Sequence, residues 1–156
     1  MNKADLLRVT RKAKSSHIRW RAYAQALVAG LDVPVDNAPV SHLSCGFGKW
    51  YYGEGARHLG HLDVYRNIET PHEILHDIYG CIHALIDDGK TEAATPMLEQ
   101  LIGVSRTLLD AIQLLDREVM AMPDRHFPDH AAIHAGHMAE IPAGSSGFRA
   151  LQAKAR

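Results

Sequence analysis

The stretch TPHEILHDIYGCIHALIDDG, residues 70–89, carries the clearest helix signal in the sequence. Thr70 is a favoured N-cap residue, Pro71 suits the first helical position, and Glu73 completes a capping box with Thr70. Together these signals predict a helix over residues 71–88. One face of this helix is apolar at α-helical spacing and consists of Leu75, Tyr79, Ile82 and Ile86.

Two longer segments, residues 5–31 and residues 92–120, show a similar amphipathic pattern. Their apolar positions recur at spacings of three and four, which predicts helices that pack against other helices. Gly30 and Gly89 stand where two of the predicted helices should end, and Pro96 lies in the first turn of the last helix or marks its start. The first stripe is Leu6, Thr10, Ala13, His17, Trp20, Ala24, Leu27 and Leu31, and the last is Leu98, Leu101, Val104, Leu108, Ile112, Leu115 and Val119.

The segment between the first two long helices is less regular. Residues 32–42 contain two prolines and several turn-forming residues and predict a loop. Residues 43–55 are aromatic and glycine-rich, so we expect only a short turn of helix there, and residues 57–68 predict another short helix. The aromatic residues expected to pack inward are Trp50, Tyr51 and Tyr52.

No segment shows the period-two pattern of a β-strand. We therefore predict an all-α protein in which residues 1–120 form a four-helix-bundle-like domain. The short aromatic, glycine-rich turn carries Cys45. Residues 121–156 are rich in Ala, Gly, Ser, Pro and His, and they predict a loosely structured tail with one helix near residues 129–139.

Composition narrows the classes of function. The chain has 156 residues, of which 46% are hydrophobic and 22% charged, and a formal net charge of −1, so it lacks the basic excess of proteins that bind nucleic acid or anionic membranes. No apolar run reaches the roughly 20 residues of a transmembrane helix, and the N-terminus lacks the apolar core of a secretory signal. With only two cysteines, the chain is expected to be cytoplasmic.

Four residues suggest a metal site. His72 and His76 are four positions apart on the predicted helix, which brings both side chains to one face within reach of one ion. His17 lies in the apolar seam of the first helix, and Cys45 lies in the aromatic turn. Three imidazoles and one thiolate suit zinc best, although copper also binds such ligands tightly. A set of four protein ligands leaves no position for a catalytic water, so we expect a structural or regulatory site and no enzyme activity.

The surrounding motif is similar to that of a known family. Cys45, Gly48 and Trp50 match the pattern Cys-x-x-Gly-x-Trp, with His17 upstream and the pair His72 and His76 downstream. In these features residues 10–118 resemble the chemoreceptor zinc-binding (CZB) domain, a helical bundle that holds zinc through three His and one Cys.

The resemblance implies a sensory or regulatory protein of bacterial signal transduction, of the chemotaxis or cyclic-di-GMP type. Family members are regulatory modules attached to soluble chemoreceptors and diguanylate cyclases, and the resemblance further implies a homodimer. Because no output domain is evident in this sequence, we expect the signal to pass through contact with another protein or through the dimer. The tail of residues 121–156 is not part of the family pattern.

Two other functions remain as alternatives. A zinc storage or delivery protein would use the tail histidines as an entry site, and these are His126, His130, His134 and His137. A non-haem iron enzyme would need Glu-x-x-His pairs on facing helices, whereas the pairs Glu69–His72 and Glu73–His76 both lie in one segment of the chain.

Cys45 also suggests a response to oxidants. It is the only sulfur among the four candidate ligands, and its oxidation would loosen the site because a sulfenic acid binds metal poorly. Cys81, one turn beyond His76, is either a small buried hydrophobic residue or a redox partner of Cys45. His42, His58 and His61 flank the aromatic turn and are either neighbours of the site or surface residues.

Overall fold

A computed structural model describes residues 1–34 and 38–127 of the chain. The described residues contain helices and no strands, which confirms the all-α prediction. In chain order the elements are α1 (Lys3–Val28), α2 (Gly46–Trp50), a π-helix (Tyr51–Gly55), α3 (Ala56–Leu59), α4 (Asp63–Arg66), α5 (Glu69–Asp87), α6 (Thr91–Ala121) and a 3₁₀-helix (Asp124–His126).

The three long helices form the body of the bundle. A short connection between α5 and α6 makes them an antiparallel pair, and α1 packs against both. The short helices occupy the remaining side, where α2 contacts α1 and α4 contacts α6. Within the described ranges, no helix combines the length and apolar character that crossing a lipid bilayer requires.

The predicted apolar stripes supply most of the core. Leu6 on α1, Leu75 on α5 and Leu108 on α6 are each 0% exposed, and each belongs to a stripe read from the sequence. Leu31 is an exception, because α1 ends at Val28 and Gly30 then adopts a φ of 74°. The chain turns away there and leaves Leu31 62% exposed.

The predicted start of α5 is wrong. Thr70 is not the N-cap, because the helix begins at Glu69 and its N-cap is Ile68, with no side-chain capping bond. Ile68 is completely buried, and its carbonyl oxygen accepts a hydrogen bond from the His72 amide. Burial of Ile68 therefore starts the helix before Thr70. Pro71 is tolerated because it lies in the first turn, where the backbone amides need no partner within the helix. At the other end Gly89, with a φ of 72°, follows the C-cap as predicted.

The aromatic segment is more helical than its glycines suggest. α2, the π-helix and α3 follow one another without a break from residue 46 to residue 59. Tyr51 is buried and stacks on Tyr65 at a ring distance of 4.4 Å, and each hydroxyl donates to the other residue's carbonyl oxygen. The prediction that Tyr52 packs inward is wrong, since successive helical residues point about 100° apart and Tyr52 is 39% exposed.

Three smaller predictions also change. Pro96 lies inside α6, beyond the first turn, because the helix begins at Thr91. Cys81 is exposed, so its interpretation as a buried hydrophobic residue is wrong. The helix near residues 129–139 and the histidines His130, His134 and His137 lie outside the described residues.

Gly48 permits a close approach between two parts of the chain. A Cβ atom at this position would lie 1.7 Å from the carbonyl oxygen of His42, a distance that no side chain tolerates. At Gly53, by contrast, an added Cβ would meet nothing within 4 Å. The absence of a side chain at Gly48 therefore lets the segment before Cys45 pack onto α2.

We expect Gly48→Ala to lower the free energy of unfolding of the metal-free protein by about 1–3 kcal/mol, because backbone must move to relieve the overlap. The matched change Gly53→Ala should leave that free energy unchanged or raise it by up to about 1 kcal/mol, because alanine favours the helix. Urea denaturation followed by circular dichroism measures both variants. Equal effects of the two substitutions would contradict a tight contact at Gly48.

Candidate metal centre

Helix α1 places His17 in the interior of the bundle. The side chain is 3% exposed, and its Nδ1 lies 2.7 Å from the carbonyl oxygen of Ala13, one turn earlier. Because a carbonyl oxygen only accepts, Nδ1 carries the proton and Nε2 keeps its lone pair. The local geometry thus presents Nε2 of His17 as a donor atom for a metal.

Helix α5 contributes His72 and His76 from one face. His76 is 4% exposed, and its Nδ1 donates to the carbonyl oxygen of Val40 over 2.6 Å, which leaves Nε2 as the unprotonated nitrogen. His72 is completely buried. Neither Nε2 of His76 nor Nδ1 of His72 has a hydrogen-bond partner among the residues that the structure describes. Buried polar atoms seldom lack a partner, so the cluster suits an additional bound group.

Cys45 reaches the same point from the N-terminus of α2. It is the N-cap of that helix, and its Sγ accepts a hydrogen bond from the amide of Gly48 at 3.1 Å. The same sulfur lies 3.4 Å from Nε2 of His72. An amide donor at a helix N-terminus stabilises a thiolate, which is the form that binds metal.

The structure brings together the four residues that the sequence singles out. One donor atom from each of His17, Cys45, His72 and His76 lies within 4.8 Å of the other three. In a tetrahedral zinc site the donor atoms are roughly 3.3–3.6 Å apart, given Zn–N and Zn–S bonds of about 2.05 and 2.3 Å. The Cys45–His72 pair already has this separation, and the chemistry of the donor set suits zinc.

Burial sets the protonation of these groups. It lowers the pKa of His17, and it lowers the pKa of His72 to about 2 and that of His76 to about 4, with neighbouring imidazoles adding to the effect on the last two. All three imidazoles are therefore neutral near pH 7, ready to bind a metal without losing a proton. Burial raises the pKa of the Cys45 thiol, against the hydrogen bonds from Gly48 and Phe47. A metal ion that binds Cys45 would consequently displace one proton.

Several contacts around the ligands could not be read from the sequence. Trp20 packs on His76 at a ring distance of 4.5 Å, and Phe47 packs on His72 at 5.1 Å. The Val40 carbonyl that orients His76 carries no sequence signal, because any residue supplies a carbonyl. His42 lies beside the cluster, 6.0 Å from the ring of His72, whereas His58 and His61 are exposed.

Carboxylates are absent from this cluster within the described part of the chain. Glu69 instead accepts a hydrogen bond from the Tyr52 hydroxyl at 3.1 Å. The arrangement therefore lacks the bridging carboxylates on which a di-iron site depends. Cys45 and Cys81 are both free thiols.

Comparison with known families gives one match. The family model described as "Chemoreceptor zinc-binding domain", CZB, matches residues 17–80, a range that contains all four grouped residues. Comparison with curated proteins finds no match, and comparison with solved structures finds none either. The match therefore supports a chemoreceptor zinc-binding domain over residues 17–80, with zinc as its cofactor.

Proposed function

We propose that this protein is a non-catalytic sensory or regulatory module that holds one zinc ion through His17, Cys45, His72 and His76. The observation that carries the proposal is the convergence of four donor atoms from α1, α2 and α5. The zinc ion would link these three elements and offset the free-energy cost of burying four polar side chains.

The second hydrogen bonds of the imidazoles support this assignment. Histidines that bind metal usually donate the other ring N–H to a carbonyl or carboxylate, which fixes the ring and its tautomer. His17 and His76 both make such a bond, to Ala13 and Val40 respectively. With four protein ligands, the ion has no open position for substrate or water, which supports regulation over catalysis.

We expect one zinc and no iron per chain in protein purified without a histidine tag. Cys45→Ser and His76→Ala should each weaken zinc binding by roughly 100-fold or more, since loss of even an outer contact to a ligand typically costs 10–100-fold. Elemental analysis and competition with a chelating dye measure content and affinity.

One cysteine and one histidine further along α5 serve as matched controls of the same residue types. Cys81→Ser and His83→Ala should leave zinc affinity unchanged, because neither residue belongs to the group. Full affinity in the Cys45 and His76 variants would place the zinc elsewhere. Several weakly held, exchangeable ions per chain would favour zinc storage or delivery instead.

The finer proposal is that Cys45 makes the module responsive to oxidants. In the metal-free protein the thiol is protonated and a poor nucleophile, whereas zinc coordination holds it as the more reactive thiolate. Oxidation to a sulfenic acid removes the only sulfur ligand and frees the segment before α2. Such a change could bias two conformations of the aromatic segment and so transmit a signal.

Treatment of the zinc-loaded protein with stoichiometric peroxide or hypochlorous acid should release zinc in step with Cys45 oxidation, and thiol should reverse it. A chelating dye reports zinc, and the fluorescence of Trp50 in a Trp20→Phe background reports the aromatic segment. Cys81→Ser should respond like the parent. If zinc is retained and Cys45 stays reduced, the proposed response to oxidants is wrong, and zinc has a purely structural role.

We also propose that the module acts as a homodimer and passes its signal to another protein, in a pathway of the chemotaxis or cyclic-di-GMP type. Large apolar side chains are exposed on all three long helices, including Ile18, Ile74 and Leu114 at 43%, 40% and 50%. Light scattering should give a mass twice the 17.2 kDa of the chain. A mass of one chain at micromolar concentration would contradict the dimer.

A further inference from the structure

A groove of about 680 Å³ lies beside the C-terminal ends of α1 and α5, and we call it the α1–α5 groove. Leu27 and Leu31 line it from the side of α1, and Ile86 lines it from α5. Leu31 is 62% exposed, the highest value among the large apolar side chains that are exposed in the described residues. The volume lies in the range of roughly 300–1,000 Å³ that binding pockets have. The groove therefore suits a partner that covers apolar surface.

One wall of the groove is tied to α5. Residues 38–39 form part of this wall. Pro39 packs on the helix at Gly80, where an added Cβ would lie 4.0 Å from the proline Cβ. The next residue, Val40, accepts the 2.6 Å hydrogen bond from Nδ1 of His76. These two contacts hold the wall in place beside the end of α5.

The charges of the groove are acidic. Asp32 and Asp87 belong to its lining, and Lys and Arg are absent from the described lining residues. Both carboxylates are exposed, and neither forms a salt bridge within residues 1–34 and 38–127. A partner that carries apolar side chains beside cations would complement this surface.

The last residues of the sequence have this composition. Residues 148–156, FRALQAKAR, place Phe148 and Leu151 three positions apart and contain no acidic residue. The cations of this segment are Arg149, Lys154 and Arg156. Residues 142–147, PAGSSG, precede it and have the composition of a linker. The segment therefore matches the groove in both charge and apolar character.

The chain between the bundle and this segment is long enough to reach the groove. The described residues end at Phe127, which is buried in one cluster with Met1 and Leu6 at the start of α1. The groove lies at the other end of α1, a helix of 26 residues and about 39 Å. The 21 residue steps from Phe127 to Phe148 span up to about 70 Å when extended. A tethered contact of this kind has an effective concentration of about 1 mM, so even weak docking is well populated.

We propose that residues 148–156 dock in the α1–α5 groove of the same chain. The two apolar side chains of this segment cover Leu31 and Ile86, and its cations face Asp32 and Asp87. Apolar anchors of this type give a groove its affinity, and the charges set the orientation. The segment is then an internal ligand that shields the groove from other partners. This contact goes beyond the proposed function, because it uses none of the four metal ligands.

A photoreactive residue in the zinc-loaded full chain tests the contact. Benzoylphenylalanine in place of Phe148 keeps an aromatic side chain and bonds to nearby C–H groups on illumination. In dilute solution the main cross-linked product should have the mass of one chain. Tandem mass spectrometry should locate the cross-link in residues 27–34, 38–39 or 80–87.

Leu31→Ser tests the apolar part of the groove. It should lower the yield of this product about threefold, because docking loses the burial of a leucine side chain. Leu114→Ser is the matched control, since Leu114 is 50% exposed on α6 and does not line the groove. The control should leave the yield unchanged. Both side chains are exposed, so helix content and zinc content should equal those of the parent.

Reversal of charge tests the ionic part. Asp32→Lys combined with Asp87→Lys should lower the yield about threefold, through the loss of two exposed ion pairs. Addition of Arg149→Glu and Lys154→Glu to that variant should restore the yield, because the pairs then form with opposite polarity. The two tail substitutions alone should lower the yield as the two groove substitutions do.

Three results would overturn the proposal. A main product with the mass of two chains would place the segment on a second copy. Cross-links located mainly outside the groove would exclude this surface. Equal yields from Leu31→Ser and Leu114→Ser, or no recovery in the variant with all four charges reversed, would indicate random collisions of the tail. Zinc content, measured in each variant, tests the proposed function separately.

Discussion

The hydrogen bonds from His17 to Ala13 and from His76 to Val40 are the contacts on which the candidate metal centre depends. Each bond fixes the proton on Nδ1 and leaves the lone pair of Nε2 free to bind a metal ion. Burial then keeps both imidazoles neutral near pH 7. Without these bonds the same side chains would be buried with both nitrogens unsatisfied, a costly arrangement in a bundle of this size.

Cys45 depends on a different constraint, which is steric. Its sulfur can approach His72 only because the segment from Ser41 to Cys45 folds against α2, and that packing requires the absence of a side chain at Gly48. The amide of Gly48 also donates to the sulfur. Gly48 thus positions the backbone and also donates a hydrogen bond to the sulfur of the candidate ligand Cys45.

The long helices and their buried faces were predictable because helical periodicity is a local property of the sequence. His17 could be placed in the core for that reason, and the spacing of His72 and His76 placed them on one face. The start of α5 was not predictable, since burial of Ile68 is a tertiary effect that overrides the cap signal at Thr70.

The grouping of the four side chains in the candidate site was predictable, but the backbone contacts around them were not. The contribution of Val40 lies in a carbonyl, which every residue type supplies, and it depends on where the preceding segment crosses α5. The continuous helical run from residue 46 to residue 59 was hidden by its glycines, whose low helix propensity is offset by the packing of Tyr51 on Tyr65.

The bond from His17 to Ala13 has a mechanical consequence. It joins the ring to the backbone of its own helix, so a displacement of the ring acts directly on α1. That helix has 26 residues and is about 39 Å long. Because His17 lies near its middle, a rotation of the whole helix about that point would move the two ends most. A rearrangement at His17 would in that case reach the surface of the bundle at both ends of α1.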